Sequence, residues 1–369
     1  PRDGAPFDGR RADGRGSCRR YGAAVDRLDL GSCPVARVIR RDGSQALAVK
    51  TPSGARFLPA DTPLDRLDES AGEAGAEADI GGYHPLLPTG HYVDFYSGIH
   101  HAENVGRLFR PDHPPLLPNY RMVPVAYVGW ARNVRWGSGT VVRPCGIRPD
   151  EPPSFGPTRE LDFEIEVAAV LGQDIREPID PAEAERRILG FVLLNDLSAR
   201  DIQRLEYQPL GPLLGKAFAT FVSPWVVPKA ALEPYLGPMM PQEPPALAHL
   251  AHPGRRVPHL PLRAEIDGQR VAETNWRYLY WSHGQQIAHL SHGGAQLAAG
   301  DLIGSGTLSG PTPGESGSLL ELTRRGTTPR VGGRTYLEDG ETITLSAAHF
   351  GEISVTIAPS GHEKAPSLD

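Results

Sequence analysis

The chain has 369 residues, 39% of them hydrophobic, enough for one large domain or two smaller ones with a real core. A net charge of −6, a pI near 6.1 and no basic stripe argue against a nucleic-acid partner, and no apolar run reaches the length of a membrane span. Three cysteines, Cys18, Cys33 and Cys145, are scattered and odd in number, which speaks against a disulfide framework and points to a reducing, cytoplasmic setting.

The opening "PRDGAPFDGRRADGRGSCRR" has no apolar stretch for a secretory leader, and its acids speak against a mitochondrial address; a flexible extension over residues 1–20 is expected. The next stretch, "PVARVIRRDGSQALAVKTPSGARFL", alternates short Val- and Ala-rich runs with turns, as a small β-meander does. "DESAGEAGAEADIGG" is small and acidic and reads as a linker. Residues 21–90 are thus expected to be a small β region with its linker, and residues 91–369 the main domain. There, 37 Pro and 42 Gly favour short strands joined by tight turns. Two helices are predicted: one in "DPAEAERRILGFVLLND", with Asp180 as cap and Pro181 in the first turn, and one in "RYLYWSHGQQIAHLSHGG", stopped by its glycines. The expected fold class is mainly β with a few helices (α+β), a rolled or sandwiched sheet.

The stretch "RELDFEIEVAAVLG" alternates acids at Glu160, Asp162, Glu164 and Glu166 with apolar residues, then turns wholly apolar from Val167 to Leu171. The acid row therefore runs toward the interior. Two more polar clusters are "YVDFYSGIHHAENVGRLFRP", with Asp94, Tyr96, His100, His101 and Arg110, and "LLNDLSARDIQRLEYQPLGPLLGKAF", with Asp196, Arg200, Gln203, Tyr207 and Lys216. Only four of the 38 basic residues are Lys, so Lys216 among apolar neighbours is conspicuous; an ammonium there needs a carboxylate or a substrate oxygen. Carboxylates pointing inward suit a hard divalent cation, Ca²⁺ or Mg²⁺, held by Glu164 and Glu166 from one strand face with Asp94 and Asp196 approaching from loops. A solvated acidic face is the other reading these residues allow.

"DFYSGIHHAENVGRLFR", "LDFEIE", "NDLSARDIQRLEYQPLGPLLGKAF" and "GSGTLSGPTPGESGSLLEL", in this order, resemble the fumarylacetoacetate hydrolase family. The resemblance implies a mixed β-roll catalytic domain, a homodimer, and a Ca²⁺ or Mg²⁺ ion used to break a carbon–carbon bond of a 1,3-diketo acid such as fumarylacetoacetate. Position by position, it implies Asp94, Glu164, Glu166 and Asp196 as metal ligands and His101, oriented by Glu321, as base. Arg200, Gln203 and Lys216 become the donors to the leaving group. Tyr96, Arg110, Tyr127, Tyr207, Gly306 and Thr307 become substrate contacts. An imidazole with a carboxylate partner to fix its tautomer is a sensible general base near neutral pH. His100, Glu160 and Asp162 match no such position.

The sequence departs from the family at "AYVGWARN", where Val128 and Trp130 replace a His and an Arg, and at Leu197, where a Trp is usual. These changes are expected near the site, where they would alter substrate shape, so the alternative is the same fold and metal acting on a different diketone, in secondary-metabolite biosynthesis or as an acylpyruvate hydrolase, decarboxylase or hydratase. A protein keeping the ion for stability alone would not need the base and donors as well.

Overall fold

The structure, a computed structural model, describes residues 30–361 apart from 53, 68–71 and 331. The extension expected over residues 1–20 lies outside them. The first sheet is an antiparallel meander of Val35–Arg40, Gln45–Thr51 and Gly54–Pro59, extended by Glu73–Gly75 at one edge and Ile80–His84 at the other. Two parts of the expected linker, 73–75 and 80–82, are thus built into the sheet, where small residues allow close pairing: Gly75 lies opposite Ala55, and a side chain on Gly75 would strike the Phe57 ring. Leu47, Val49 and Leu58 of this sheet share one core with Ala168, Val192 and Val226 of the following region. Val35 and Val226 also exchange two backbone hydrogen bonds of 3.0 and 2.9 Å.

The main body is β-rich with short helices, as the composition implies. A seven-stranded mixed sheet runs in the order Ala126–Gly129, Tyr92–Phe95, Leu302–Gly304, Ile165–Leu171, Ile188–Asp196, Thr220–Val222, Val134–Trp136. A five-stranded sheet of Gln269–Asn275, Pro261–Ile266, Thr342–Ala347, Gly351–Ala358 and Gly139–Val142 completes the body. The central strands Ile165–Leu171 and Ile188–Asp196 are buried at every residue, which is why their sequences are apolar from Val167 to Leu171 and from Ile188 to Leu194.

That burial corrects the first predicted helix. Asp180 caps a helix that spans only Pro181–Arg186, its carboxylate accepting the Glu183 N–H, and the chain then becomes the Ile188–Asp196 strand. Ile188, Leu189 and Val192 fit a helical stripe and a two-sided strand equally well, and sheet partners on both sides decide the outcome. Gly190 marks the strand: a methyl there would lie 2.7 Å from the Val227 carbonyl oxygen. Gly190→Ala is expected to destabilise the fold by about 1–3 kcal/mol. A thermal melt followed by circular dichroism checks this, and an unshifted midpoint would contradict the close packing. The second helix spans His283–His292, opened by a capping box of Ser282 and Gln285 and ending at Gly293; a 3₁₀ turn, Trp276–Tyr278, precedes it.

Candidate active site

Three carboxylates meet at the middle of the seven-stranded sheet. Asp94 comes from the Tyr92–Phe95 strand, Glu166 from Ile165–Leu171, and Asp196 ends Ile188–Asp196, so Asp94 and Asp196 arrive on strands where loops were expected. All three are buried, and one oxygen from each lies within 4.8 Å of the others. Asp94 accepts the Gly306 N–H at 3.2 Å. Asp196 accepts from the Tyr127 hydroxyl at 2.8 Å, from Thr220 at 3.1 Å and from the Lys216 ammonium. Among the described residues, none donates a hydrogen bond to either oxygen of Glu166. Burial, and then Asp196 beside it, pushes Asp94 up to about 7. Burial, with Asp94, Glu164 and Asp196 adding to it, raises Glu166 well above the carboxylate range. Three dry carboxylates facing one another, one of them without a donor, need protons or a cation, and a divalent ion fits this oxygen donor set.

Glu164, expected as a fourth ligand, stands outside that trio. Its oxygens face Arg200, in an ion pair of 2.7 Å set too obliquely for a hydrogen bond, and the Lys216 ammonium. Burial alone would raise Glu164; Lys216 and Arg200 outweigh it and hold the carboxyl well below its ordinary range. Lys216, on the turn Leu214–Ala217, bridges Glu164 and Asp196. Against burial, these two carboxylates push the ammonium up, so it is charged.

A second wall is formed by the helix Ile99–Phe109, which follows the aspartate strand and carries His101. Its Nδ1 lies 2.6 Å from Glu321 Oε2, a contact joining residues 220 apart in sequence. Glu321, on the turn Leu319–Leu322, also accepts from Asn104 at 2.8 Å, Ser309 at 2.8 Å and Ser318 at 2.9 Å. Burial pushes this carboxyl up, but His101 and these donors together bring it below its usual value. An ionised Glu321 places the imidazole proton on Nδ1 and leaves the Nε2 lone pair for a substrate or water. The ring is further fixed edge-to-face against Tyr96, at 5.5 Å.

Both walls border one cavity of about 580 Å³. Asp94, Glu164, Glu166, Lys216 and His101 line it, as do Arg200 and Gln203 from the helix Arg200–Glu206. The expected substrate contacts Tyr96, Arg110, Tyr127, Tyr207, Gly306 and Thr307 line it too. Arg110 offers a buried Nε with no hydrogen-bond partner among the described residues. Gly306 sits at φ +73°, where a side chain would overlap the Phe95 carbonyl. Only Glu321 and Asp196 of the expected residues do not line the cavity; they stand behind His101 and Lys216 and hold them.

The sequence departures fall elsewhere. Val128 is 74% exposed and Trp130 50%, while Leu197 is fully buried in the core; none lines the cavity. The reason for Val128 is the period of two: on the Ala126–Gly129 strand the Tyr127 side chain faces the cavity, so that of Val128 leaves from the other face. His100 packs on Tyr278, outside the cavity. Glu160 lines the cavity, paired with Arg204. Sequence reading missed Arg204, which shares a helix face with Arg200 and Gln203, and Asn104, three residues after His101 on its helix; helical spacing was the signal for both. It also missed Ser309, Ser318 and Asp162, for which no local signal existed.

A family model described as the C-terminal region of fumarylacetoacetate (FAA) hydrolase matches residues 90–358. The chain belongs to the fumarylacetoacetate hydrolase family. It is 46% identical over 302 residues to a Caenorhabditis elegans protein named fumarylacetoacetase, covering 75% of this chain and 72% of that one. A human protein of the same name is 42% identical over 284 residues, covering 73% and 68%. Among solved structures, a fumarylacetoacetate hydrolase from Exiguobacterium antarcticum aligns with a TM-score of 0.58 at 16% identity, covering 89% of this chain and all of that one. A 5-carboxymethyl-2-hydroxymuconate delta-isomerase from Mycobacterium smegmatis aligns at 0.55 and 17%, covering 89% and 99%. At such identities these neighbours establish the family's fold and nothing narrower.

Proposed function

We propose that the chain hydrolyses a carbon–carbon bond of a 1,3-diketo acid, 4-fumarylacetoacetate, to fumarate and acetoacetate, a step of tyrosine and phenylalanine breakdown. The observation that carries this is the His101–Glu321 pair facing the same cavity as the carboxylate trio and the Lys216 ammonium. The relatives named fumarylacetoacetase support the substrate.

Asp94, Glu166 and Asp196 would hold a hard divalent ion, Ca²⁺ or Mg²⁺, with Glu164 as the fourth carboxylate, one ammonium away from the trio. When bound, the ion supplies Lewis-acid polarisation of the diketone oxygens. His101 Nε2 accepts a proton from water as the water oxygen bonds to the carbonyl carbon. The carbon–carbon bond then breaks, its electron pair leaves as the enolate of acetoacetate, and the enolate carbon takes up the proton that His101 accepted from water, so that the imidazole ends neutral. Arg200, Gln203 and Lys216 would donate hydrogen bonds to that developing charge. Tyr96, Tyr127 and Tyr207, with Arg110, would hold the substrate's oxygens and carboxylate.

A different diketone was suggested by Val128, Trp130 and Leu197, and none of these borders the cavity. Residues from 91 onward form the catalytic unit in this reading. Exposed Val128 and Trp130, at an edge strand of the seven-stranded sheet, support a second copy covering that edge in a homodimer. The scattered cysteines support a cytoplasmic setting, and among the described residues no helix is long and apolar enough to cross a membrane.

Fumarylacetoacetate turnover, followed by loss of ultraviolet absorbance with and without chelator, tests the function. Loss that stops with chelator and returns with Ca²⁺ or Mg²⁺, yielding fumarate and acetoacetate, is expected. An inert protein that still binds the ion would overturn it.

A further inference from the structure

We infer that Asp162 is a positioning residue for the hydrolysis proposed above, on which this inference rests: one buried carboxylate sets both the leaving-group donor Arg200 and the turn that carries Glu321. Asp162 is fully buried on the two-residue strand Leu161–Asp162 and does not line the cavity. Its Oδ2 accepts from Arg200 Nε at 2.8 Å and from the Leu320 N–H at 2.9 Å. Its Oδ1 accepts from the Leu319 N–H at 2.6 Å and the Phe163 N–H at 2.8 Å. Four donors thus fill both oxygens.

The consequence is geometric. Arg200 is clamped on two sides, by Asp162 at Nε and Glu164 at Nη2, which leaves Nη1 beside Gln203 at 3.3 Å. The Leu319–Leu322 turn hangs from the same carboxylate through its first two N–H groups, and its third residue is Glu321. The donor Arg200 and Glu321, the partner of the base, therefore share one fixed part. A buried carboxylate bound to a guanidinium is an ordinary structural device, so the test must separate positioning from folding.

Asp162→Asn has nearly the same volume, but its amide presents N–H groups where one oxygen accepted two donors. Whichever way it turns, either Arg200 and Leu320 or Leu319 and Phe163 lose their acceptor. The matched control is Asp201→Asn, a neighbouring buried aspartate whose partners are Thr158, the Arg159 N–H and the Ile202 N–H. Both variants are expected to lower the thermal midpoint. Asp162→Asn alone is expected to lower kcat, by about 10²-fold, with KM within a few-fold. The loss should shrink below about ten-fold when introduced into Arg200→Lys or into Glu321→Gln, because the carboxylate acts through both.

Unchanged kcat in Asp162→Asn, or a full loss in both backgrounds, would overturn the inference while leaving wild-type hydrolysis intact. A wild type inert toward fumarylacetoacetate would overturn the functional reading, and this inference with it. Should Asp162→Asn fail to fold, Arg200→Lys alone serves: it keeps the charge, loses the Nε contact, and is expected to move the His101 imidazole ¹⁵N resonances. Resonances that stay in place would overturn the coupling.

Discussion

Replacing His101 with Ala is expected to cut turnover by about 10²- to 10⁴-fold while leaving Ca²⁺ affinity unchanged. His101 is not one of the three carboxylates that would hold the ion, so the two properties separate. Its only role in the proposed step is to take the proton from water, and the 2.6 Å contact to an ionised Glu321 prepares it by fixing the proton on Nδ1. Glu321→Gln keeps the shape and removes the charge, so it is expected to lose part of the same factor. In the double variant the losses should not multiply, since the carboxylate acts through the imidazole. Steady-state kinetics with calorimetric Ca²⁺ titration measures both quantities. An active His101→Ala enzyme would remove the base from the mechanism.

The second large effect is on stability. The thermal midpoint of the ion-loaded protein is expected to exceed that of the chelated protein only slightly at pH 5, and by several degrees at pH 8. The sign follows from the raised carboxyls. Asp94 titrates at about 7 in the folded chain against 3.8 ordinarily, with burial and Asp196 as the causes. The metal-free folded state therefore holds more protons than the unfolded chain between these values. The contribution of this one carboxyl to stability is full below about 3.8 and is lost as pH rises through about 7. Glu166 and Asp196 shift in the same direction. An ion takes the place of those protons, so its contribution grows with pH; at a hundred-fold excess over Kd it amounts to about 2.7 kcal/mol. Comparing loaded with chelated protein at each pH cancels groups that titrate identically in both, such as Glu321. In Glu166→Gln the gap should collapse. A gap that is already full at pH 5 would contradict the shared protonation of the trio.

Much of the site was legible because chemistry restricts residue types. Acids alternating with apolar residues and running into a wholly apolar stretch signalled carboxylates in an interior, and a lone Lys in apolar company signalled a charge with a partner. The tertiary structure assigned the partners. Along one short stretch, Asp162 holds Arg200 and a turn, Glu164 faces Arg200 and Lys216, and Glu166 faces only other carboxylates. Nothing in the local pattern distinguishes these three acids, which is why Asp162 had no assigned role.

The sequence by itself determined a β-rich fold, the Asp180 cap of one helix and the glycine stop of the other, and a residue set suited to a hard cation and a general base. It did so because turn residues, period-two alternation and the protonation chemistry of side chains are local properties. Only the tertiary structure decided that Ile188–Asp196 is a strand and not the end of a helix, and that Val128 and Trp130 face away from the cavity. It put the 2.6 Å contact behind the pairing of His101 with Glu321, 220 residues distant, which the sequence offered only through a family resemblance. A fully apolar run satisfies both periodicities, and the partner of a buried charge is set by contacts between distant strands, so both questions are settled only when the sheet closes.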